Sequence, residues 1–347
     1  MTIVNGVVEG WARVARRAVY SRAFGRVVLS PVTSWGYRRH RSTGKTPAIA
    51  YTAMRKLFGD PDPAVFERLR RLPEQGASLL TFDEPVVGLV AGRIDETVAA
   101  LDRDGYVVLA SRVPEDVCAD LEATARAATC ALVPSPHGVP LRDRFDERSP
   151  RAIRYDLDEE DILASRGAQA IVADESLLAL AQRYLGAPPI QDLVAMWWSA
   201  TIGEAASSAA AQLFHFDLDR LKFLKVFVYL TDVDVRTGPH VYVRGTHKDL
   251  PARFRRDRRY RDDEVLPVFG DAAQTIGGPR GTIFLADTRG LHKGTSLIEG
   301  HRLVFQTEYS TSLFGQAYSR PRVSVATDEF QRAQRRHPQS FERFAAQ

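Results

Sequence analysis

The segment QLFHFDLDRLKFLKVFVYL, residues 212–230, decides which fold the chain can adopt. Its second half, from Phe223 to Leu230, is rich in aliphatic and aromatic residues and predicts a strand. Both faces of this strand are largely apolar, so we expect both to be covered by other parts of the protein. Its first half contains His-Phe-Asp at 215–217, an imidazole and a carboxylate two residues apart at the end of a strand-like segment.

Helices are predicted before this segment and strands on either side of it. Capping residues and apolar periodicity predict helices at 1–30, 61–76, 94–105, 114–133 and 174–186. Alternating and β-branched runs predict strands at 106–110, 189–202, 211–217, 221–230, 240–243, 281–287 and 301–310. Helices followed by a run of strands favour an α+β fold, in which N-terminal helices buttress a β-sandwich or jelly roll at 189–312.

The two faces of the central strand predict different neighbours. Its purely aliphatic face suits packing on helices and consists of Leu224, Val226, Val228 and Leu230. The other face contains Lys225, Phe227 and Tyr229 and suits a cavity that also accepts polar groups. A buried lysine without a partner is destabilising, so we expect Lys225 to meet a carboxylate. The alternative is that the strand end is exposed and the ammonium group reaches water.

A second histidine, His292, lies in a glycine-flanked loop far along the chain, ahead of Arg302 on an apolar strand. Together with His215 and Asp217 it can supply two imidazoles and one carboxylate to one face of a metal ion. That ligand set leaves the opposite face open and is typical of non-haem Fe(II) oxygenases. The alternative is three unrelated polar residues on a β-sandwich.

The motifs that carry a family likeness are DGYVVLA (104–110), QLFHFD (212–217), VYLTDVDVRTGPHVYVRGTHK (228–248) and GTIFLADTRGLHKGTSLIEGHRLVFQTEYS (281–310). On these motifs the chain resembles the phytanoyl-CoA dioxygenase-like family of Fe(II)/2-oxoglutarate oxygenases. The resemblance implies a double-stranded β-helix, Fe(II) as the metal, and 2-oxoglutarate and dioxygen as cosubstrates.

Carried over residue by residue, the resemblance implies that His215, Asp217 and His292 are the iron ligands and catalytic residues. Arg302 would bind the distal carboxylate of 2-oxoglutarate, a role that suits the planar guanidinium. Further candidates around the cosubstrate are Gln212, Lys225 and Phe227. Related halogenating enzymes replace the metal-binding carboxylate by a small residue, so the presence of Asp217 favours hydroxylation.

Other histidines compete for the metal. His240 and His247 flank VYVRGT, a stretch that the family resemblance places away from the iron, and we interpret them as structural. His301 adjoins Arg302 and is expected to point to the opposite side of its strand.

The main hypothesis is an Fe(II)/2-oxoglutarate-dependent hydroxylase that releases succinate and CO2 and acts on a natural-product, lipid or carbohydrate intermediate. The alternative is a non-catalytic jelly-roll protein that binds a small molecule and keeps a vestigial metal site. The intact ligand set with Arg302 argues against this alternative.

Positive charge is concentrated at the N-terminus, where residues 1–60 contain 11 Lys and Arg against Glu9 and Asp60. We expect a basic N-terminal extension at 1–60, rich in Arg, Gly, Ser and Thr after Pro31 and wrapped on the surface, followed by an oxygenase domain at 61–347. Residues 1–30 could contact an anionic membrane surface. The alternative is packing on the chain's own catalytic domain or on a second copy in a homo-oligomer.

Six arginines occur between Arg253 and Arg261, on a segment that could overhang the active-site mouth. An anionic substrate group would suit them, and a solvated surface is the alternative. Nucleic acid is not expected, because no nucleic-acid-binding module is recognisable. The only cysteines are Cys118 and Cys130, which on one helix lie too far apart to pair; this and the lack of a signal sequence or membrane span suggest a cytoplasmic protein.

Overall fold

The computed structural model describes residues 25–58, 63–74, 77–83, 86, 88–135, 139–202 and 209–344. Within these ranges the strands are β1 (Tyr106–Arg112), β2 (Cys130–Val133), β3 (Arg142–Asp143), β4 (Arg154–Asp156), β5 (Ile190–Ala200), β6 (Phe223–Tyr229), β7 (His240–Val243), β8 (Ala273–Ile276), β9 (Thr282–Ala286), β10 (His292–Gly294) and β11 (His301–Ser310). Eight of them form an antiparallel sheet in the order β1-β9-β6-β11-β5-β4-β2-β3, and β10-β7-β8 form a second sheet.

The two sheets pack face to face around a mainly aromatic cluster. Its members from the larger sheet include Trp197, Phe227, Tyr229 and Phe284, and those from the smaller sheet are Tyr242 and Ile276. Two antiparallel sheets that share one apolar interior form a jelly roll. The predicted double-stranded β-helix is therefore confirmed, and so is the α+β class, because helices cover the outer face of the larger sheet.

The helices are α1 (Ser30–Thr43), α2 (Ala48–Phe58), α3 (Pro63–Arg70), α4 (Ile94–Asp104), α5 (Glu115–Ala127), α6 (Glu159–Leu163), α7 (Arg166–Val172), α8 (Glu175–Leu185), α9 (Asp262–Phe269) and α10 (Asp328–Arg336). Apolar residues of α5, α7 and α8 share one buried cluster with Leu224, Val226, Val228 and Leu230. The prediction that the aliphatic face of β6 packs on helices is confirmed.

Local signals account for the helix ends next to the sheet. The Asp174 carboxylate accepts a hydrogen bond from the main-chain N–H of Leu177 at 3.0 Å and caps the start of α8. Gly186 ends α8 with φ of 76°, a conformation that favours glycine, and Gly105 ends α4 in the same way with φ of 84°. The predicted helices at 94–105 and 174–186 are confirmed.

The segment before residue 60 is more regular than the sequence suggested. Residues 31–58 are largely helical, and Pro31 lies in the first turn of α1 rather than ending a helix. Leu57 and Met54 of α2 are buried with Leu221 and Phe314 of the jelly-roll region. The sequence predicted a segment wrapped on the surface at 31–60, and residues 31–58 pack on the protein as partly buried helices. The helix predicted at 1–30 lies mostly outside the described residues.

The helix predicted at 114–133 is too long. Helix α5 ends at Ala127, and Cys130 begins β2, whose Leu132 pairs with Tyr155 of β4. Pairing in the sheet overrides the helical periodicity of this apolar stretch. In the described part of the chain Cys118 and Cys130 are both buried and form no disulfide. None of the helices described is long and apolar enough to cross a membrane.

Candidate metal centre

His215 and His292 are placed opposite each other by the main chain. They form an antiparallel bridge in which each N–H donates to the other's carbonyl at 2.9 Å. Directly opposed residues of an antiparallel pair project to the same face, and the two ring centroids lie 4.3 Å apart. The segment 211–217 makes only isolated bridges, so the regular strand predicted there is wrong.

Asp217 completes the group from the same segment. Its main-chain N–H donates to the Thr288 carbonyl at 2.8 Å, which fixes the backbone two residues after His215. Its Oδ1 lies 3.7 Å from Nε2 of His215, and its Oδ2 lies 3.6 Å from Nε2 of His292. One ligand atom from each residue lies within 4.8 Å of the other two, close enough for all three to bind one ion. The predicted convergence of these residues is confirmed.

Hydrogen bonding orients both imidazoles for a metal. Nδ1 of His215 lies 2.9 Å from the Leu213 carbonyl, and Nδ1 of His292 lies 3.0 Å from the Gly290 carbonyl. A proton on each Nδ1 leaves the Nε2 lone pair directed at the common point. Burial lowers the pKa of His215 to about 3, with a further effect of His292, and burial also lowers the pKa of His292. The lowered pKa values favour the neutral imidazole, the form that binds metals.

Lys225 lies behind the Asp217 carboxylate. Its Nζ is 2.7 Å from Oδ2 of Asp217, 3.2 Å from Oδ2 of Asp219 and 3.5 Å from Oε2 of Glu308. The prediction that this lysine meets a carboxylate is confirmed. Burial alone would raise the pKa of Asp217, but Lys225 and the two histidines lower it well below its usual range. The lysine therefore keeps Asp217 ionised and restricts its orientation.

Arg302 is a buried cation on β11. Its Nη2 lies 3.2 Å from Oγ of Ser199, whereas Nε and Nη1 have no hydrogen-bond partner among the described residues. A Cβ atom added to Gly294 would lie 3.5 Å from Nη2, so this glycine leaves room for the guanidinium two residues after His292. A buried cation with unpaired donors is strongly destabilising unless an anion binds to it. The site is therefore suited to an anionic ligand beside the three metal-binding groups.

Gln212 lies beside the segment that contains His292, and Phe227 lies in the apolar interior between the two sheets. Gln212 is buried and lines an open pocket of about 610 Å³ together with Lys293 and Thr295, the neighbours of the His292 segment. Phe227 stacks on Phe284 with 4.7 Å between centroids and lies between the two sheets.

His240 also belongs to this centre, contrary to its interpretation as a distant structural residue. Its ring is parallel to that of His292 with 5.8 Å between centroids, and it lies 5.0 Å from the Phe227 ring. The alternation of β7 places His240 and Tyr242 on one face, but only the pairing of β7 with β10 brings that face to the metal site. His247 fits its structural interpretation, since its Nε2 lies 3.2 Å from the Asp102 carbonyl.

Arg259 lies at the edge of the same centre. Tyr260 donates its main-chain N–H to the Phe214 carbonyl at 2.8 Å in an antiparallel bridge, which places Arg259 opposite His215. Arg258 pairs with Glu264, whereas Arg259 is exposed and has no acidic partner in the described ranges. After burial, the largest effect, Arg259 is among the charges that lower the pKa of His215.

The family model described as Phytanoyl-CoA dioxygenase (PhyH) matches residues 101–295. No curated protein sequence matches the chain significantly. Similar solved structures include HygX from Streptomyces hygroscopicus with nickel and 2-oxoglutarate bound, at 16% identity over 68% of this chain and 92% of that chain, with a TM-score of 0.46. EctD from S. alaskensis with bound Fe is 19% identical over 67% of this chain and 80% of that chain, with a TM-score of 0.42.

These identities and TM-scores are low, and the assignment rests on the family model. That model covers more than half of the chain and includes His215, Asp217 and His292. The chain therefore belongs to the phytanoyl-CoA dioxygenase family of Fe(II)- and 2-oxoglutarate-dependent oxygenases.

Proposed function

We propose that His215, Asp217 and His292 bind the catalytic Fe(II) and that Arg302 binds the distal carboxylate of 2-oxoglutarate. The enzyme then hydroxylates a small molecule and releases succinate and CO2. The oxygenase domain comprises residues 61–347, preceded by the basic extension 1–60.

The observation that carries this proposal is a buried, unpaired arginine beside three convergent metal-binding groups. The two imidazoles and the carboxylate are the ligand types that non-haem Fe(II) enzymes use. Arg302 has two unpaired donors in a dry interior, which suits a carboxylate that accepts two hydrogen bonds. A non-catalytic binding protein would have no need of both features at one place.

When bound, iron with 2-oxoglutarate and dioxygen supplies the oxidation of a C–H bond. The residues of the chain bind and orient these components. The imidazoles bind the metal through Nε2 while their Nδ1 protons are held by carbonyls, and Lys225 holds the Asp217 carboxylate. Phe227 packs beside His240 between the two sheets, and Gln212 is proposed to face the cosubstrate. The intact carboxylate of Asp217 favours hydroxylation over halogenation.

The substrate that we propose is a small molecule with a carboxylate or phosphate group. Arg259 supports this class, because its exposed guanidinium lies at the site entrance and lacks an acidic partner among the residues described. Nucleic acid is not among the proposed partners. Contact of residues 1–30 with a membrane surface, self-association and a cytoplasmic location stay predictions.

The test is an anaerobic titration with Fe(II) and then 2-oxoglutarate, which gives a visible charge-transfer band when the chelate forms. We expect the band in the wild-type protein and its loss in His215→Ala. Arg302→Ala is expected to require at least about tenfold more 2-oxoglutarate, because a charge-assisted interaction is lost.

The matched control is His301→Ala. This residue precedes Arg302 on the same strand but packs on Phe145 and Trp198, away from the cavity. This variant is expected to give the charge-transfer band at the same concentrations of Fe(II) and 2-oxoglutarate as the wild type. A folded wild-type protein that gives no band would refute the proposed ligand set and favour a binding protein with a vestigial site.

A further inference from the structure

His240 is a buried histidine whose imidazole has no assigned partner. It begins β7, and its main-chain N–H donates to the Tyr229 hydroxyl at 3.1 Å. That hydroxyl donates in turn to the Ile276 carbonyl at 2.7 Å, so Tyr229 is already satisfied. Nε2 of His240 is buried and has no hydrogen-bond partner in the described part of the chain. A buried polar atom left in this state indicates a missing ligand.

The sheet register places this imidazole next to Arg302. His240 pairs directly with Gly294 of β10, and opposed residues carry their Cβ atoms about 4.5–5.5 Å apart on one face. The Cβ position of Gly294 is itself 3.5 Å from Nη2 of Arg302. The guanidinium of Arg302 therefore lies over Gly294 and close to the His240 side chain.

On its other side the His240 ring is parallel to that of His292, with 5.8 Å between centroids. The imidazole thus lies between a proposed iron ligand and the proposed carboxylate-binding arginine. Burial is the largest cause that lowers the pKa of His240 well below its usual value, and the Arg302 guanidinium lowers it further. The neutral ring has one N–H donor to offer.

We infer that His240 Nε2 donates a hydrogen bond to the distal carboxylate of 2-oxoglutarate, beside the bonds from Arg302. A carboxylate has about four acceptor positions, enough for this donor and for the two unpaired donors of the guanidinium. The inference rests on the proposed function and makes His240 a cosubstrate-binding residue.

The test compares two 2-oxo acids that bind iron identically but differ at the far end. The full-length protein is loaded with Fe(II) without oxygen and titrated with 2-oxoglutarate or with 2-oxopentanoate, which has a methyl group in place of the distal carboxylate. The charge-transfer band gives the Kd of each. In His240→Leu we expect the Kd for 2-oxoglutarate to rise about tenfold, as for a lost hydrogen bond to a charged group, and the Kd for 2-oxopentanoate to stay unchanged.

His240→Gln keeps an N–H at a similar reach and is expected to bind 2-oxoglutarate nearly as the wild type does. His301→Leu is the control, because this imidazole is on β11 and packs on Phe145 and Trp198, away from the cavity. Circular dichroism checks folding, and His240→Met is a second donor-free variant if the leucine variant does not fold. Fe(II) affinity is expected to be equal in all of them.

Two results would overturn the inference while leaving the proposed function intact. One is an unchanged affinity for 2-oxoglutarate in the donor-free variants. The other is an equal loss of affinity for both acids, which would place the effect of His240 at the keto end or in packing. A wild-type protein without the band would overturn the proposed function and this inference together.

Discussion

Lys225 is a residue of the site whose partners could be predicted from the sequence. Its burial on an otherwise apolar strand predicted a carboxylate partner, and three carboxylates surround it, those of Asp217, Asp219 and Glu308. The lysine was grouped with the residues near the cosubstrate, but its contacts are to acidic side chains behind the proposed iron ligand. A cation that contacts a metal-binding carboxylate from behind fixes which way its oxygens face.

Arg259 allows a prediction about the substrate. Arg259→Ala is expected to raise KM at least about tenfold for small molecules whose carboxylate or phosphate the guanidinium binds, with kcat little changed. The measurement is succinate formed from 2-oxoglutarate across a panel of acidic compounds and their neutral esters or amides.

Arg256→Ala is the matched variant, because Arg256 belongs to the same arginine run and is also exposed. Its KM values are expected to equal those of the wild type. The prediction fails if the compounds that stimulate succinate formation are neutral, or if the two variants behave alike.

Strand β10 contains only three residues, yet it positions two groups of the site. His292 begins it, and Gly294 ends it beneath Arg302. A methyl group at 294 would make an ordinary contact with the guanidinium at 3.5 Å, whereas a larger side chain would occupy its space. We expect Gly294→Ala to bind 2-oxoglutarate nearly normally and Gly294→Leu to lose at least about tenfold in affinity.

Both variants are expected to bind Fe(II) with wild-type affinity, because the three metal-binding side chains are untouched. Calorimetric titration with Fe(II) and then with 2-oxoglutarate, without oxygen, separates the two steps. A leucine variant that keeps full affinity for 2-oxoglutarate would contradict the placement of the anion at Arg302.

Features encoded locally could be predicted from the sequence, whereas those that depend on strand register could not. Asp174 and Gly186 mark the ends of α8 by capping chemistry that needs no knowledge of the rest of the fold. The position of His240 depends on the pairing of β7 with β10, about fifty residues apart, and no local signal specifies that pairing. The helix predicted at 114–133 is too long for the same reason, because the pairing of β2 with β4 sets the conformation after Cys130.

The N-terminal helices are part of the same folded body as the jelly roll. Leu57 and Phe66 share a buried cluster with Leu221, four residues beyond Asp217, and with Phe314. Packing of this kind contributes about 1.5–3 kcal/mol for each large apolar side chain buried. Residues before the proposed boundary at residue 60 therefore pack directly on residues of the domain that follows it.

The metal-free protein is expected to lose stability in mild acid. Six histidines of the described residues are buried, and burial is the largest cause that lowers the pKa of each, to about 4 for His40 and about 3 for His215. The other four are His240, His247, His292 and His337. Below about pH 6.5 the unfolded chain binds protons at these positions, and the folded chain binds fewer. Each histidine then lowers the free energy of unfolding by up to about 1.4 kcal/mol per pH unit below 6.5.

Urea unfolding with a chelator at pH 7.5, 6.5 and 5.5 measures this effect. The free energy of unfolding is expected to change little between the first two values and to fall clearly at the third. Glu308 acts in the opposite direction, since burial raises its pKa well above the usual value and its protonation favours the folded state in acid. Equal or greater stability at pH 5.5 would show that such carboxyls outweigh the histidines.

The reciprocal bonds between His215 and His292 have a consequence for evolution. They are formed by the main chain, so they would persist if either side chain were replaced. The main chain thus fixes the positions of residues 215 and 292, and their side chains decide what can bind there. A point substitution at either position would change or abolish metal binding and leave these main-chain bonds of the fold in place. New chemistry can therefore evolve at this site with little loss of folding stability.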